Sequence, residues 1–114
     1  FDIHINTKNV DDLHECPRSK NVLHLHSELL KVRSTKNSAT ILDWRKDLTL
    51  GDIFLKKNQL RPIIIWFGEK IPELDKAIEI TKKADILVII ATSMQVYPAT
   101  SLVLYVQPKN LFIL

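Results

Sequence analysis

The sequence predicts an α/β fold: part of a doubly wound, Rossmann-like parallel sheet carrying a small irregular inserted module. Three observations lead there. Apolar runs end in polar, hydrogen-bonding residues, at Thr7-Lys8-Asn9-Val10-Asp11-Asp12-Leu13-His14 and at Leu25-His26. In open α/β sheets, ligands bind at those carboxyl ends of strands. The half from Ile65 to Leu114 reads strand, helix, strand, helix, strand, the alternation of a doubly wound sheet. Between the halves, Lys31 to Gln59 is polar and irregular, as insertions between sheet strands are.

In chain order, Phe1 to Asn6 reads as a strand. Val22 to His26 follows, where a period of two puts Val22, His24 and His26 on one face and Leu23 and Leu25 on the other. The middle carries short candidate strands at Leu30 to Ser34 and Thr40 to Trp44, and a single glycine, Gly51. Arg61-Pro62-Ile63-Ile64-Ile65-Trp66-Phe67 is rich in β-branched residues and apolar on both faces, the pattern of a buried parallel strand. Pro72 to Ala84 is the clearest helix. Pro72 suits a first turn, Glu73 and Asp75 favour the positive end of the dipole, and Lys82-Lys83 fall in the last turn. Leu74, Ala77, Ile78 and Thr81 share one face at helical spacing. Asp85-Ile86-Leu87-Val88-Ile89-Ile90 is a second strand apolar on both faces, Thr92-Ser93 a polar turn, Ala99 to Val106 a helix and Leu111 to Leu114 the last strand. Strands at Phe1 and Leu114 lead us to expect a window from a longer sequence. A half sheet of this kind exposes an edge where two copies would self-associate.

Composition narrows the classes. The 114 residues are 46% hydrophobic and 25% charged, ordinary for a soluble chain. The net charge is +3, yet the sixteen Lys and Arg are dispersed, with Arg45-Lys46, Lys56-Lys57 and Lys82-Lys83 the only adjacent pairs. That gives no nucleic-acid stripe. The longest apolar run, Ile86 to Ala91, is far too short to span a bilayer, so no membrane partner is expected. The lone Cys16 excludes an internal disulfide and suits a reducing compartment; we expect a cytoplasmic location.

Four ordered segments carry the chemistry: Asn9-Val10-Asp11-Asp12-Leu13-His14, Leu25-His26, Trp66-Phe67-Gly68-Glu69 and Thr92-Ser93-Met94-Gln95-Val96-Tyr97-Pro98-Ala99. Together they resemble the sirtuin family of NAD-dependent protein lysine deacylases, over nearly the whole chain from Ile3 to Leu114. The chain looks like the carboxyl-side portion of a member without zinc. The resemblance implies a Rossmann-like part at 1–30 and 61–114, and at 31–60 a remnant of the family's small module, here without its four cysteines. It also implies NAD as co-substrate, an acylated lysine in a protein or peptide as partner, and no structural zinc.

What the resemblance implies for single residues follows the motifs. Lys8, Asn9, Val10 and Asp11 stand on the cofactor side, Asn9 toward the nicotinamide ribose and Asp11 toward the carboxamide. Buried amide edges need such short polar partners. Asn9 and Asp11 also fit helix caps. His26 is the catalytic base, an imidazole whose pKa lies near working pH. Paired with His24 it could instead face a metal, but two histidines without further ligands make a poor zinc site. Ile65, Trp66, Phe67, Gly68 and Glu69 would receive the extended acyl-lysine peptide as an added strand, with Ile65 and Phe67 at the lysine stem. Ala91, Thr92 and Ser93 would hold the adenine-side ribose and phosphate.

Three positions depart from the family pattern. Lys8 replaces a glutamine with a cation that only donates, Ser27 stands where glycine follows the histidine, and Ala91 replaces the glycine before Thr92-Ser93. No Gly-Ala-Gly phosphate loop is present, since Gly51 and Gly68 are the only glycines. We therefore expect no deacylation by the 114 residues alone. The other reading is a non-catalytic, truncated or decayed relative that binds a peptide or protein partner.

Overall fold

The computed structural model describes residues 1–37, 39–53, 57–66 and 68–114. Its elements are β1 (Ile5–Thr7), β2 (Val22–His24), β3 (Ser27–Ser34), β4 (Ile41–Asp43), β5 (Leu60–Ile64), α1 (Leu74–Lys83), β6 (Leu87–Ile89), 3-10 helices at Ala99–Tyr105 and Pro108–Asn110, and β7 (Leu111–Ile113). No helix among the described residues is long and apolar enough to cross a membrane.

The mixed α/β character expected from the sequence is present, but not as one continuous parallel sheet. β1 pairs parallel with β2, placing Thr7 opposite His24, and β6 pairs parallel with β7, placing Val88 opposite Phe112. Between them in sequence, β4, β3 and β5 form an antiparallel sheet in that order. The expectation of a buried parallel strand at Arg61 to Phe67 is thereby overturned. β5 is an edge strand antiparallel to β3, with a register irregularity between Glu28 and Val32. Pro62, opposite Val32, explains the position. A proline lacks the N–H that a central strand needs, so it belongs on an edge or beside a bulge. Continuous apolar runs do not by themselves distinguish the two settings.

Other boundaries shift. The first strand covers only Ile5–Thr7 rather than Phe1 to Asn6. β2 stops at His24, so the alternation expected through His26 ends two residues early and His26 sits in the turn to β3. Ala99–Tyr105 is 3-10 rather than α-helical; Thr100 and Val103, β-branched, are weak α-formers.

α1 forms on the predicted spacing, beginning at Leu74 rather than Pro72. Ala77 and Thr81 are its buried residues, and the Thr81 hydroxyl donates to the Ala77 carbonyl at 2.8 Å. A buried hydroxyl without a partner is destabilising, and the bond one turn back removes that cost. The helix lies on a core of Leu23, Leu25, Ile71, Ala77, Ala99 and Leu102, with Ile65, Leu74, Ile78 and Ile80 packed against it. This core joins β2 to α1 and the following 3-10 helix, and so fixes where β2 ends and His26 begins. In the inserted stretch, the Gln59 amide faces the Thr49 and Asp52 carbonyls at 3.3 and 3.1 Å and accepts from the Gly51 N–H at 2.9 Å. One side chain thus ties the loop before β5 to the start of the strand.

Candidate functional site

His26 lies just beyond β2, half-buried, where the main chain brings three segments together. The Ile65 N–H donates to the His26 carbonyl at 3.3 Å, linking the end of β5 to the histidine. The Leu25 N–H donates to the Thr7 carbonyl at 2.9 Å, placing the end of β1 beside it. Burial pushes the His26 imidazole below its ordinary pKa, and the Lys8 charge pushes the same way, against the upward pull of the Lys8 main chain. A histidine so placed is neutral at neutral pH and able to accept a proton.

The Lys8 ammonium donates to the Thr92 hydroxyl at 3.3 Å across 84 residues of sequence. That bond brings the carboxyl end of β1 to the turn after β6, so the two segments expected on the cofactor side meet at one end of the molecule. The loop leaving β1 is tied down by its backbone. Asn9 N–H donates to the Thr7 hydroxyl at 3.1 Å, and the Val10 carbonyl accepts from Leu29 N–H at 2.7 Å. Asn9 is exposed. The Asp11 carboxylate accepts from Leu13 N–H at 3.2 Å, a turn-capping bond of the kind short carboxylates favour.

Ser27 and Ala91 both have positive φ, 69° and 52°. These are the two positions where the resemblance replaces glycine, and the left-handed region explains the preference, because a Cβ is disfavoured there. Ser27 opens β3 opposite Ile64, while Ala91 N–H donates to the Leu114 carbonyl at 3.3 Å. Ser93 is exposed.

The candidate peptide segment leaves β5 at Ile65. Trp66 is 60% exposed; Phe67 lies outside the described residues; Gly68 has φ 85° with open space around it. Glu69 organises the turn. Its carboxylate accepts from both terminal nitrogens of Arg61 at 3.2–3.3 Å and from Trp66 N–H at 3.2 Å. The Arg61 guanidinium, and then the Trp66 N–H, hold the Glu69 carboxyl below its usual range. Spacing did not reveal Arg61 or Glu15, a partner of His24; both act through residues distant in sequence. Two concavities lie elsewhere, one of about 330 Å³ along Leu30, Val32, Trp44 and Pro62, the other of about 360 Å³ near Phe1 and Asn21.

Comparison with known proteins places this geometry. The Sir2 family pattern matches residues 2–98. The chain belongs to the Sir2 family. An NAD-dependent protein deacylase of Helicobacter pylori is 50% identical over 118 residues, covering 96% of this chain and 52% of that protein. One of Bacteroides thetaiotaomicron is 44% identical, covering 93% of this chain and 48% of that protein. This Sir2-family chain therefore spans about half the length of the curated relatives it matches. A solved Sir2 homologue–NAD complex superposes with a TM-score of 0.85 at 36% identity, covering 98% of this chain and 45% of that one. A Sir2–p53 peptide–NAD complex superposes at 0.74 with 27% identity, covering 90% and 46%.

Proposed function

We propose that these 114 residues form the part of an NAD-dependent protein lysine deacylase that carries the base and the peptide-docking segment. The carrying observation is His26: half-buried, depressed in pKa, and joined by its own main chain to the end of β5. In this reading β1–β2 and β6–β7 belong to one doubly wound parallel sheet, residues 31–60 are its inserted module, and the protein is cytoplasmic.

The residues present suit the ribose side of NAD. An exposed Asn9 side chain, a neutral imidazole and the Thr92 and Ser93 hydroxyls stand at neighbouring strand ends, a donor and acceptor set matched to sugar hydroxyls. NAD, when bound, would supply an electrophilic anomeric carbon with nicotinamide as its leaving group. Asn9 and Asp11 would hold the nicotinamide side. The His26 imidazole takes the proton of a ribose hydroxyl, and its depressed pKa keeps it unprotonated for that step. The edge of β5, extended through Ile65 and Trp66, receives the acyl-lysine peptide by main-chain hydrogen bonds, with Gly68 and Glu69 closing the turn behind it.

Without a glycine-rich phosphate loop, the 114 residues alone are expected to give no turnover. A chimera tests the proposal, with this chain replacing the matching half of the Helicobacter deacylase. NAD-dependent removal of acetyl from a lysine peptide is expected, lowered by about 10²–10⁴-fold in His26→Ala. A folded chimera that binds peptide without turnover would instead support the non-catalytic reading, which the strained Ser27 and Ala91 favour.

A further inference from the structure

We infer that His24 is a positioning residue: as an imidazolium it clamps the Asn9–Glu15 loop, and it releases that loop on deprotonation. His24 is the last residue of β2 and is 8% exposed. Its Nδ1 lies 3.0 Å from the Asn9 carbonyl oxygen, and its Nε2 lies 2.8 Å from Oε1 of Glu15. Both partners are acceptors. A neutral imidazole has one N–H and satisfies only one of them, whereas the cation donates to both. The geometry therefore selects the charged form.

The clamp holds the two ends of the loop that carries Asn9, Val10 and Asp11. Within the loop, Glu15 and Cys16 N–H groups donate to the Asp12 carbonyl at 3.2 and 3.1 Å, which keeps Glu15 on a closed turn. Val10 is tied to Leu29 of β3. The charged and titratable groups bearing on the clamp are Glu15 from that turn, His14 beside it, and Glu28 of β3, itself paired with Lys31 at 2.8 Å. Burial pushes His24 down. Hydrogen bonds to Glu15 and Asn9, with the charges of Glu15 and Glu28, outweigh it, and the net direction is upward from 6.5. A folded-state pKa raised above the unfolded value gives a contribution that is complete below about pH 6.5 and lost as pH rises through the folded value. Loosening on the alkaline side is therefore built into the loop. Its consequence for cofactor binding rests on the proposed roles of Asn9 and Asp11.

The test uses the Helicobacter chimera that carries these 114 residues, following the imidazole nitrogens by NMR and amide exchange over residues 9–16, with α1 amides as reference. At pH 6 both His24 nitrogens should be protonated. As pH rises through the His24 titration, loop protection relative to α1 should fall by roughly three- to tenfold. In Glu15→Gln the introduced amide donates to Nε2 of a neutral imidazole, so loop protection should persist without that pH step. His24→Asn retains a donor toward the Asn9 carbonyl and loses the Glu15 tie, so protection should drop at all pH values. A neutral His24 at pH 6, or a loop whose protection ignores both the titration and Glu15→Gln, would overturn the inference. The readout needs no NAD. A clamp that titrates as described in a folded chimera without NAD-dependent turnover leaves it standing and removes the proposed function instead.

Discussion

At Ser27 and Ala91 the backbone is left-handed, with φ of 69° and 52°, and each carries a Cβ that this region disfavours by roughly 1–2 kcal/mol. A glycine would remove that strain but would add unfolded-state entropy worth about 0.5–1 kcal/mol. The difference favours glycine. Ser27→Gly and Ala91→Gly are each expected to stabilise the chain by about 0.5–1 kcal/mol, read as a rise in the urea midpoint at unchanged slope. A fall in the midpoint would mean that the native side chains make compensating contacts. Ser27 and Ala91 were legible as departures from a pattern, while the reason for the pattern needed φ. His24 shows the opposite limit. Its place beside His26 was visible in sequence, but Glu15, which decides its charge, is brought to it only by the turn after β1.

At the scale of elements, the sequence was most informative where one periodicity had one explanation. The apolar face of α1 was expected from Leu74, Ala77, Ile78 and Thr81, and Ala77 and Thr81 are its buried residues. The β-branched run of β5 suits parallel and antiparallel pairing alike, and Pro62 is its one sign of an edge. In the proposed function that edge receives the peptide. Arg61 on β5 grips Glu69, and Glu69 holds the Trp66 N–H, so a single carboxylate shapes the segment beyond the strand. The Glu69 pKa is depressed, so its contribution is present above about pH 4.5 and lost as pH falls through the folded value. In the chimeric deacylase, Glu69→Gln should raise KM for the acetyl-lysine peptide by roughly three- to tenfold at pH 7 while leaving kcat unchanged. A fall in kcat at constant KM would place Glu69 in the chemical step rather than in docking.

The whole molecule is more extended than a closed domain of its size. Its radius of gyration is 16.1 Å, with extents of 52 × 31 × 23 Å, against about 13 Å for a compact chain of this length. The β6–β7 pair leaves one face uncovered. Along β6 and its flanks, Ile86, Val88 and Ile90 alternate with the better-covered Leu87 and Ile89. Val88 stands opposite Phe112, and Leu114 continues the row. Ile86, Val88, Ile90, Phe112 and Leu114 are 58%, 46%, 65%, 52% and 79% exposed. An apolar sheet face left open to water, on a strand pair with free edges, favours pairing with a second copy. The isolated chain is therefore expected to self-associate at roughly 10–100 µM, seen as a mass that rises with concentration in light scattering and as dye binding to exposed apolar surface. Because the attraction is apolar, added sodium chloride should not disperse the species, whereas a screened charge contact would weaken. Val88→Lys combined with Phe112→Lys places two like charges opposite each other across the pair, which opposes stacking of this face while leaving the buried Ile89 side intact. That variant should be monomeric with unchanged helical signal from α1. A wild-type chain that stays monomeric throughout this range would show that the face has cover within its own fold.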